Sequence, residues 1–193
     1  MLKDAFVLSG GQSHEIEMAM NRPGNGPWTP ALVQEMCKGD TFGRIRGVLN
    51  GLAEIKPLEH AIDLDATPFC PSDLTVEEHQ KGGIFRWDPA KVQLYLSKLQ
   101  SKGKVIGGHD LRKDLAGKSV LNACLLDYLL KNPHLIPEEW KGKAIFFWGT
   151  IYRYLDGDLC VWCLYWAGGQ WQSISRWLGN GWRGSNPAAL RAS

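Results

Sequence analysis

Three apolar, aromatic runs towards the C-terminal end constrain the fold of this 193-residue chain more than any other feature. Residues 144–155, 159–166 and 170–178 are each long enough for a strand, and the dipeptides Asp156-Gly157 and Gly168-Gly169 separate them. Both dipeptides are favoured in two-residue hairpin turns. The sequence therefore predicts a three-stranded antiparallel β-meander, and seven of the nine tryptophans lie from Trp140 onward.

Pairing the strands outward from the two turns assigns every side chain of the predicted meander to one of two faces. Both faces are rich in apolar residues, whereas a meander with one solvated face alternates apolar and polar residues. We expect helices to cover one face, and the other to be core, an oligomer interface or a ligand site. Flat rings suit sugars, bases or peptides. The candidate ligand-binding residues on one face are Trp162, Trp166, Trp171, Trp177 and Arg153.

Helical patterns precede the meander. Thr29-Pro30 and Asp40 are typical helix starts, and the glycine-rich residues 1–56 are expected to form an arm with two short helices. In the middle region, Thr75–Glu78 fits a capping box, and Asp88-Pro89 opens an apolar stripe that reaches Leu99. A further helix is expected from Ser119 to Asn132. The predicted fold class is α+β: helical N-terminal and middle regions packed with the aromatic meander, and residues 57–193 as its domain.

Several landmarks of the chain are shared with other sequences. They include Ile62-Asp63-Leu64-Asp65, Leu121-Asn122-Ala123, Ile136-Pro137-Glu138-Glu139-Trp140-Lys141 and Phe146-Phe147-Trp148-Gly149. On these residues the chain resembles hypothetical proteins that recur in metagenome-derived bacterial genomes. The resemblance covers about residues 57–190, leaves the N-terminal third unmatched, and implies no activity.

One acidic motif is a candidate for catalysis. The residues Asp63-Leu64-Asp65-Ala66-Thr67 are similar to the D-x-D-x-T motif of haloacid-dehalogenase-like phosphatases. That resemblance would make Asp63 a nucleophile and Asp65 an acid–base group, with Mg²⁺ between them. The surrounding pattern does not fit a doubly wound α/β fold, because helices and then the meander follow the motif. The alternative is an Asp-rich turn at the end of a strand.

The same segment contains residue types that bind divalent metals. Imidazoles and carboxylates suit Mg²⁺ or Zn²⁺, and the candidate ligands are His60, Asp63, Asp65 and His79. Spacing alone does not bring His79 to the other three, and solvated turn residues are the alternative.

Charge and cysteine content limit the partners and the compartment. The chain has 22 basic and 20 acidic residues, which disfavours a nucleic-acid-binding arm, although a local basic patch is an alternative at Lys98, Lys102, Lys104, Arg112 and Lys113. No apolar run approaches the roughly 18 residues of a membrane span. Five scattered cysteines and the lack of a secretory-type apolar stretch at the start predict a cytoplasmic protein.

These observations leave three hypotheses for function. The first is a non-enzymatic binding module that uses the aromatic sheet and needs no cofactor, because no complete catalytic constellation is evident. The second is a small metal-dependent hydrolase of phosphoesterase type at Asp63 and Asp65, with Mg²⁺ or Zn²⁺. The third is a self-associating structural protein, a homo-oligomer.

Overall fold

The computed structural model of the protein describes residues 7–22, 28–54, 59–100 and 103–192. The chain divides into two compact units, Met1–Leu58 and Glu59–Ser193. The boundary that the sequence predicts, between residues 56 and 57, lies outside the described residues.

In its described residues, 7–22 and 28–54, the smaller unit contains three helices, α1 (Gly10–Met20), α2 (Pro30–Met36) and α3 (Thr41–Leu49). A capping box starts α1: the Ser9 hydroxyl accepts from the Gln12 N–H, and the Gln12 side chain accepts from the Ser9 N–H. Thr29 caps α2, and Pro30 takes its first position, as the sequence predicts. None of the residues in these three helices is buried. The described part of this unit therefore has no hydrophobic core of its own.

Within residues 59–100 and 103–192, the larger unit contains eleven strands, two helices and several 3₁₀ turns. The strands are β1 (Ala61–Asp63), β2 (Leu74–His79), β3 (Ile84–Arg86), β4 (Val92–Tyr95), β5 (Ile106–Gly107), β6 (Ile145–Phe146), β7 (Thr150–Tyr154), β8 (Leu159–Ala167), β9 (Gln170–Trp177), β10 (Gly181–Trp182) and β11 (Ala188–Arg191). The helices are α4 (Gly108–Leu115) and α5 (Ala123–Lys131). The α+β class that the sequence predicts is confirmed.

The main sheet has seven strands, so the predicted three-stranded meander is wrong. The order is β2-β7-β8-β6-β11-β4, and β9 pairs with the other edge of β8. The β6–β11 pair is parallel and the remaining pairs are antiparallel, which makes the sheet mixed. Strands β7, β8 and β9 do follow one another as antiparallel neighbours. Four more strands extend them, because β8 is long enough to pair with both β7 and β6 along one edge.

The first hairpin connection has one feature that the sequence did not reveal. The register pairs Tyr152 with Cys160 and Arg153 with Leu159. The connection therefore consists of the four residues 155–158, whereas the sequence predicts a two-residue turn. The Asp156 carboxylate accepts from the Asp158 N–H and the Tyr154 N–H donates to the Asp158 carbonyl, which holds this longer loop. A shift of one residue exchanges the two faces of a strand. Arg153 consequently lies on the opposite face of the sheet from Trp162, which corrects its predicted place.

The second hairpin connection is the two-residue turn Gly168-Gly169. Ala167 pairs with Gln170, and the two glycines have φ of 59° and 79°. Two successive positive φ angles define a type I′ turn, whose twist matches that of the flanking strands.

The middle region is mostly extended, which corrects the helical prediction. Residues 74–79 form β2 beside β7, and residues 92–95 form β4 beside β11. The spacing that suggested a helix included Leu96 and Leu99, and both are exposed in the structure. Val92 and Leu94 pack on the core instead, at the two-residue spacing of a strand. Long-range pairing therefore overrides the local pattern.

Both faces of the main sheet are covered over their central part. On one face, α5 contributes Leu125, Leu126 and Leu129 to a core that includes Leu164 and Phe147. On the other face, α4 contributes Leu111 and Leu115 to a core with Phe146, Val161 and Trp182. The side chains that cover this second face do not reach the tip of the β8–β9 hairpin.

Candidate functional site

A cleft of about 670 Å³ lies beside the edge strand β9. This volume falls within the range of small-ligand sites, about 300–1,000 Å³. Its walls come from β8, β9 and two loops, around residues 142–144 and 180–186. The lining residues are Gly142, Lys143, Ala144, Phe146, Tyr154, Cys163, Tyr165, Trp166, Ile174, Ser175, Arg176, Trp177, Asn180, Ser185 and Asn186.

Apolar side chains on β9 remain open to solvent along this cleft. Ile174 is 53% exposed and Trp177 is 49% exposed. The Trp177 ring packs edge-on against Tyr154, with 6.2 Å between the ring centroids. Burying such surface under a ligand releases roughly 25 cal/mol per Å². The cleft therefore offers a preformed apolar contact surface.

The cleft also carries positive charge without a balancing carboxylate. Arg176 donates from Nη2 to the Gly181 carbonyl at 2.6 Å, and its guanidinium lies 5.6 Å from the Trp182 ring centroid. Its Nε is buried and has no hydrogen-bond partner among the described residues. Lys143 donates to the Glu139 carbonyl at 2.6 Å. Neither cation forms an ion pair within the described part of the chain, and no Asp or Glu lines the cleft.

The one thiol in the lining is not a nucleophile. Cys163 is fully buried, and burial raises the pKa of its thiol to about 12, although the charge of Arg176 opposes that rise. A thiolate is the reactive form of cysteine, and it is scarce at neutral pH when the pKa is that high. Cys160, three residues earlier, is also buried, and its pKa is raised to about 11 by burial. All five cysteines are free.

The four predicted tryptophans do not form one platform. Trp162 and Trp171 pack against the core that α5 covers. Trp166 contacts Trp171 edge-on at 5.4 Å, and the Lys141 ammonium lies 3.8 Å from its ring centroid. Of the four, Trp166 and Trp177 line the cleft.

Arg153 is engaged elsewhere. Its guanidinium donates to Glu77 at 2.7 Å and 2.8 Å and to the Gly157 carbonyl at 2.9 Å. This bidentate pair raises the pKa of Arg153 and lowers that of Glu77. Arg153 therefore ties β7 to β2 and does not reach the predicted ring surface.

The carboxylates of the predicted metal or phosphatase site are held by backbone N–H groups. Asp65 accepts from Gly82 at 2.8 Å and from Gly83 at 2.9 Å, and these bonds lower the pKa of its carboxyl. Asp63 accepts from the Asp65 N–H at 2.9 Å. Together they shape the turn after β1.

The predicted histidine ligands are also in use. His60 Nδ1 lies 2.7 Å from the Tyr128 hydroxyl. His79 Nε2 lies 3.0 Å from the Leu64 carbonyl, so it carries the proton, and Nδ1 accepts from the Thr150 hydroxyl at 2.9 Å. Thr150 in turn accepts from the Ala123 N–H. Among the residues that the structure describes, no three His, Cys, Asp or Glu side chains are grouped to hold a metal.

A second, smaller cavity of about 180 Å³ lies under α5. Asp127, Tyr152 and Trp162 are part of its lining, and no described residue forms a hydrogen bond with the buried Trp162 Nε1. Burial raises the pKa of Asp127, while the Phe69 N–H, which donates to it at 3.1 Å, opposes the rise. Polar groups that are left in such a cavity are commonly bridged by water.

The basic residues of the alternative nucleic-acid patch do not form one free group. Arg112 pairs with Glu78 and Lys113 pairs with Asp110. Lys102 lies outside the described residues.

Sequence reasoning missed the residues that distinguish the cleft, chiefly Arg176, Lys143, Tyr165, Asn180 and Asn186. Pairing the strands outward from Gly168-Gly169 predicts that Tyr165 and Arg176 share a face, as they do in the structure, but no sequence pattern indicates where the cover of that face ends. One sequence feature does point to the positive charge of the cleft: residues 159–193 contain no Asp or Glu.

Comparison of the chain with family models, with curated proteins and with solved structures gave no match. In the described part of the chain, no helix has both the length and the apolar character that crossing a membrane requires.

Proposed function

We propose that this protein is a non-enzymatic binding module that holds an anionic ligand with a flat apolar group in the cleft beside β9. The observation that carries the proposal is the cleft itself: two cations without carboxylate partners lie next to exposed aromatic and aliphatic side chains.

The charge of the ligand follows from Arg176. A half-buried cation without a counter-ion is unfavourable, because it has lost part of its hydration and gained no opposite charge. A carboxylate, sulfonate or phosphate would supply that charge through charge-assisted hydrogen bonds, worth about 1.5–3 kcal/mol each. That range corresponds to about a tenfold to hundredfold change in affinity.

The flat group follows from Trp177, Tyr165 and Ile174. Aromatic rings stack on or meet the edges of other rings with about 0.5–1.5 kcal/mol beyond the area that they bury. A planar apolar ligand standing against the outer edge of β9 would contact Ile174 on the face of Arg176 and Trp177 on the other face, while Ser175, Asn180 and Asn186 offer polar contacts at the rim.

The phosphoesterase-like hydrolase, the alternative at Asp63 and Asp65, has less support. Both carboxylates already accept backbone N–H bonds that shape a turn. Their geometry is explained without a substrate.

The test uses two dyes of almost the same shape. 1-Anilinonaphthalene-8-sulfonate carries an anion beside its rings, and N-phenyl-1-naphthylamine lacks that anion. We expect the sulfonate to bind with one site per chain, with the affinity falling about tenfold in Arg176→Gln and in Lys143→Gln. The neutral dye should bind equally to the wild type and to both variants.

The matched control is Arg86→Gln, because Arg86 forms an exposed pair with Glu59 in another part of the same unit. It should leave the binding of both dyes unchanged. Trp177→Ala should weaken both dyes, since it removes apolar surface and leaves the charge. Equal sulfonate affinity in the wild type and the two cleft variants would overturn the proposal.

A further inference from the structure

The strand that borders the cleft has an open edge. Because Gly168-Gly169 is a two-residue turn, Gln170, Gln172, Ile174 and Arg176 direct their backbone groups at β8. The alternate residues direct theirs outward. They are Trp171, Ser173, Ser175 and Trp177, and only the Trp177 carbonyl, bonded by the Asn180 N–H, has a backbone partner within the described chain.

Of the sheet's other edge strands, β2 is protected in a way that β9 is not. The register of β2 is interrupted between Val76 and Glu78, and its charged residues Glu77 and Glu78 face solvent. Bulges and charges are the usual means by which proteins prevent an edge strand from pairing with another chain. Strand β9 pairs without interruption over eight residues, contains no proline, lysine or acidic residue, and presents only Arg176 as a charge.

The cleft collects side chains from both faces of this edge strand. Ile174 and Arg176 belong to one face, and Ser175 and Trp177 belong to the other. A strand added beside β9 would send alternate side chains to these two faces. One set would meet Arg176, and the other would meet Trp177 and Tyr154.

We propose that the ligand of this cleft is an extended acidic peptide segment of a partner protein, which adds to the main sheet as a strand beside β9. This inference rests on the proposed function, and it names the class of ligand. Backbone bonds to Ser173 and Ser175 supply the pairing, and an acidic side chain of the peptide, on the face of Ile174, supplies the anion for Arg176.

Charge decides between this occupant and a second copy of the chain. Strand β9 contains no carboxylate, so a copy paired with it would bring another Arg176 and nothing to neutralise the first. A peptide with glutamate or aspartate at alternate positions meets the cleft with the opposite charge.

The probe is a capped eight-residue peptide, acetyl-Thr-Phe-Glu-Phe-Thr-Phe-Glu-Thr-amide, titrated calorimetrically into the full chain. Its phenylalanine rings supply the flat apolar group and share one face of the added strand, opposite the glutamates. We expect a dissociation constant of about 10–100 µM, typical of weak peptide recognition. A peptide with lysine in place of both glutamates should bind at least about tenfold more weakly.

Two N-methylated peptides separate strand addition from simple charge attraction. In one peptide the backbone nitrogens of the odd-numbered residues are methylated, and in the other peptide those of the even-numbered residues are methylated. An added strand directs only one of these sets at β9. We expect one methylated peptide to lose binding and the other to retain it, and the amide exchange of Ser173 and Ser175 to slow about tenfold or more with the parent peptide.

A protein variant tests the same edge. Ser173→Pro removes an outward N–H that β8 does not use, and proline is tolerated at such positions of edge strands. It should abolish peptide binding while leaving the binding of 1-anilinonaphthalene-8-sulfonate in place.

Three outcomes would overturn strand addition: no binding of the parent peptide, equal binding of both methylated peptides, or a concentration-dependent dimer that Ser173→Pro dissolves. If the sulfonate dye still binds in an Arg176-dependent way, the proposed function stands and only the peptide is wrong. If the dye also fails, the proposed function falls with it.

Discussion

Asn122 joins three segments of the larger unit through a single amide group. Its Oδ1 accepts from the Cys124 N–H and caps α5, while its Nδ2 donates to the carbonyls of Leu64 at 2.7 Å and Gln80 at 2.9 Å. The side chain is almost fully buried. The sequence pattern predicts a helix start at Ser119, whereas in the structure the helix starts after Asn122, whose capping role the pattern does not reveal.

We predict that Asn122→Ala lowers the free energy of unfolding by about 2 kcal/mol, from the lost cap and the two lost amide hydrogen bonds, although the Leu64 carbonyl keeps its bond from His79. Asn122→Ser keeps a capping oxygen but is too short to bridge, so it should recover about 1 kcal/mol of that loss. Urea unfolding measures both. Equal stability of the serine and alanine variants would show that the cap contributes nothing here.

The half-buried carboxyl of Asp127 makes stability depend on pH. Burial raises its pKa in the folded state, so its contribution is fully present below the pKa of the unfolded chain and is lost as pH rises through the folded pKa. Asp127→Asn cannot ionise and can still accept from the Phe69 N–H.

We therefore expect the asparagine variant to have a higher Tm than the wild type at pH 7, and the difference to shrink as the pH is lowered towards 3. Scanning calorimetry at several pH values measures it. Asp110→Asn, at an exposed carboxylate, is the control. A Tm difference that is constant across this range would contradict the account of Asp127.

The turns and strand lengths of the β8–β9 hairpin decide where the cleft lies. The glycine pair of its turn was readable from the sequence, and so were the faces of β8 and β9. The connection from β7 to β8 was not, because the Asp156 side-chain bond to Asp158 extends a turn that the Asp-Gly dipeptide alone suggests is shorter. The resulting one-residue shift of the β7–β8 register places Arg153 on the opposite face of the sheet from Trp162, away from the predicted site.

At this turn, Gly169→Ala should destabilise the protein by about 1 kcal/mol, because alanine is strained at a φ of 79°. Gly179→Ala is the matched control, since that glycine has no positive φ and no atom within 4 Å of an added Cβ. Thermal unfolding of the two variants gives the comparison. Equal melting temperatures of the two variants would show that the positive φ at Gly169 does not affect the stability of the protein.

At the scale of the whole molecule, the three buried clusters all belong to the larger unit. The sequence predicted the α+β class and the aromatic character of the sheet, because both depend on local composition and periodicity. It did not predict the seven-stranded order, since the β2–β7 and β4–β11 pairs join residues more than 70 positions apart. The cleft also depends on long-range contact, because the loop at residues 142–144 lines it together with β9.

The most direct test of the central claim, a positively charged aromatic cleft that is open to ligands, needs no ligand. Iodide and caesium ions both quench exposed tryptophan, and they carry opposite charges. At equal ionic strength, a positively charged cleft attracts iodide and repels caesium. The Trp177 contribution is the difference in quenching between the wild type and Trp177→Phe. We predict that iodide quenches this contribution about twofold more strongly than caesium, relative to free tryptophan, and that Arg176→Gln and Lys143→Gln each reduce the preference. Equal quenching by the two ions, or a preference that neither substitution alters, would contradict the account.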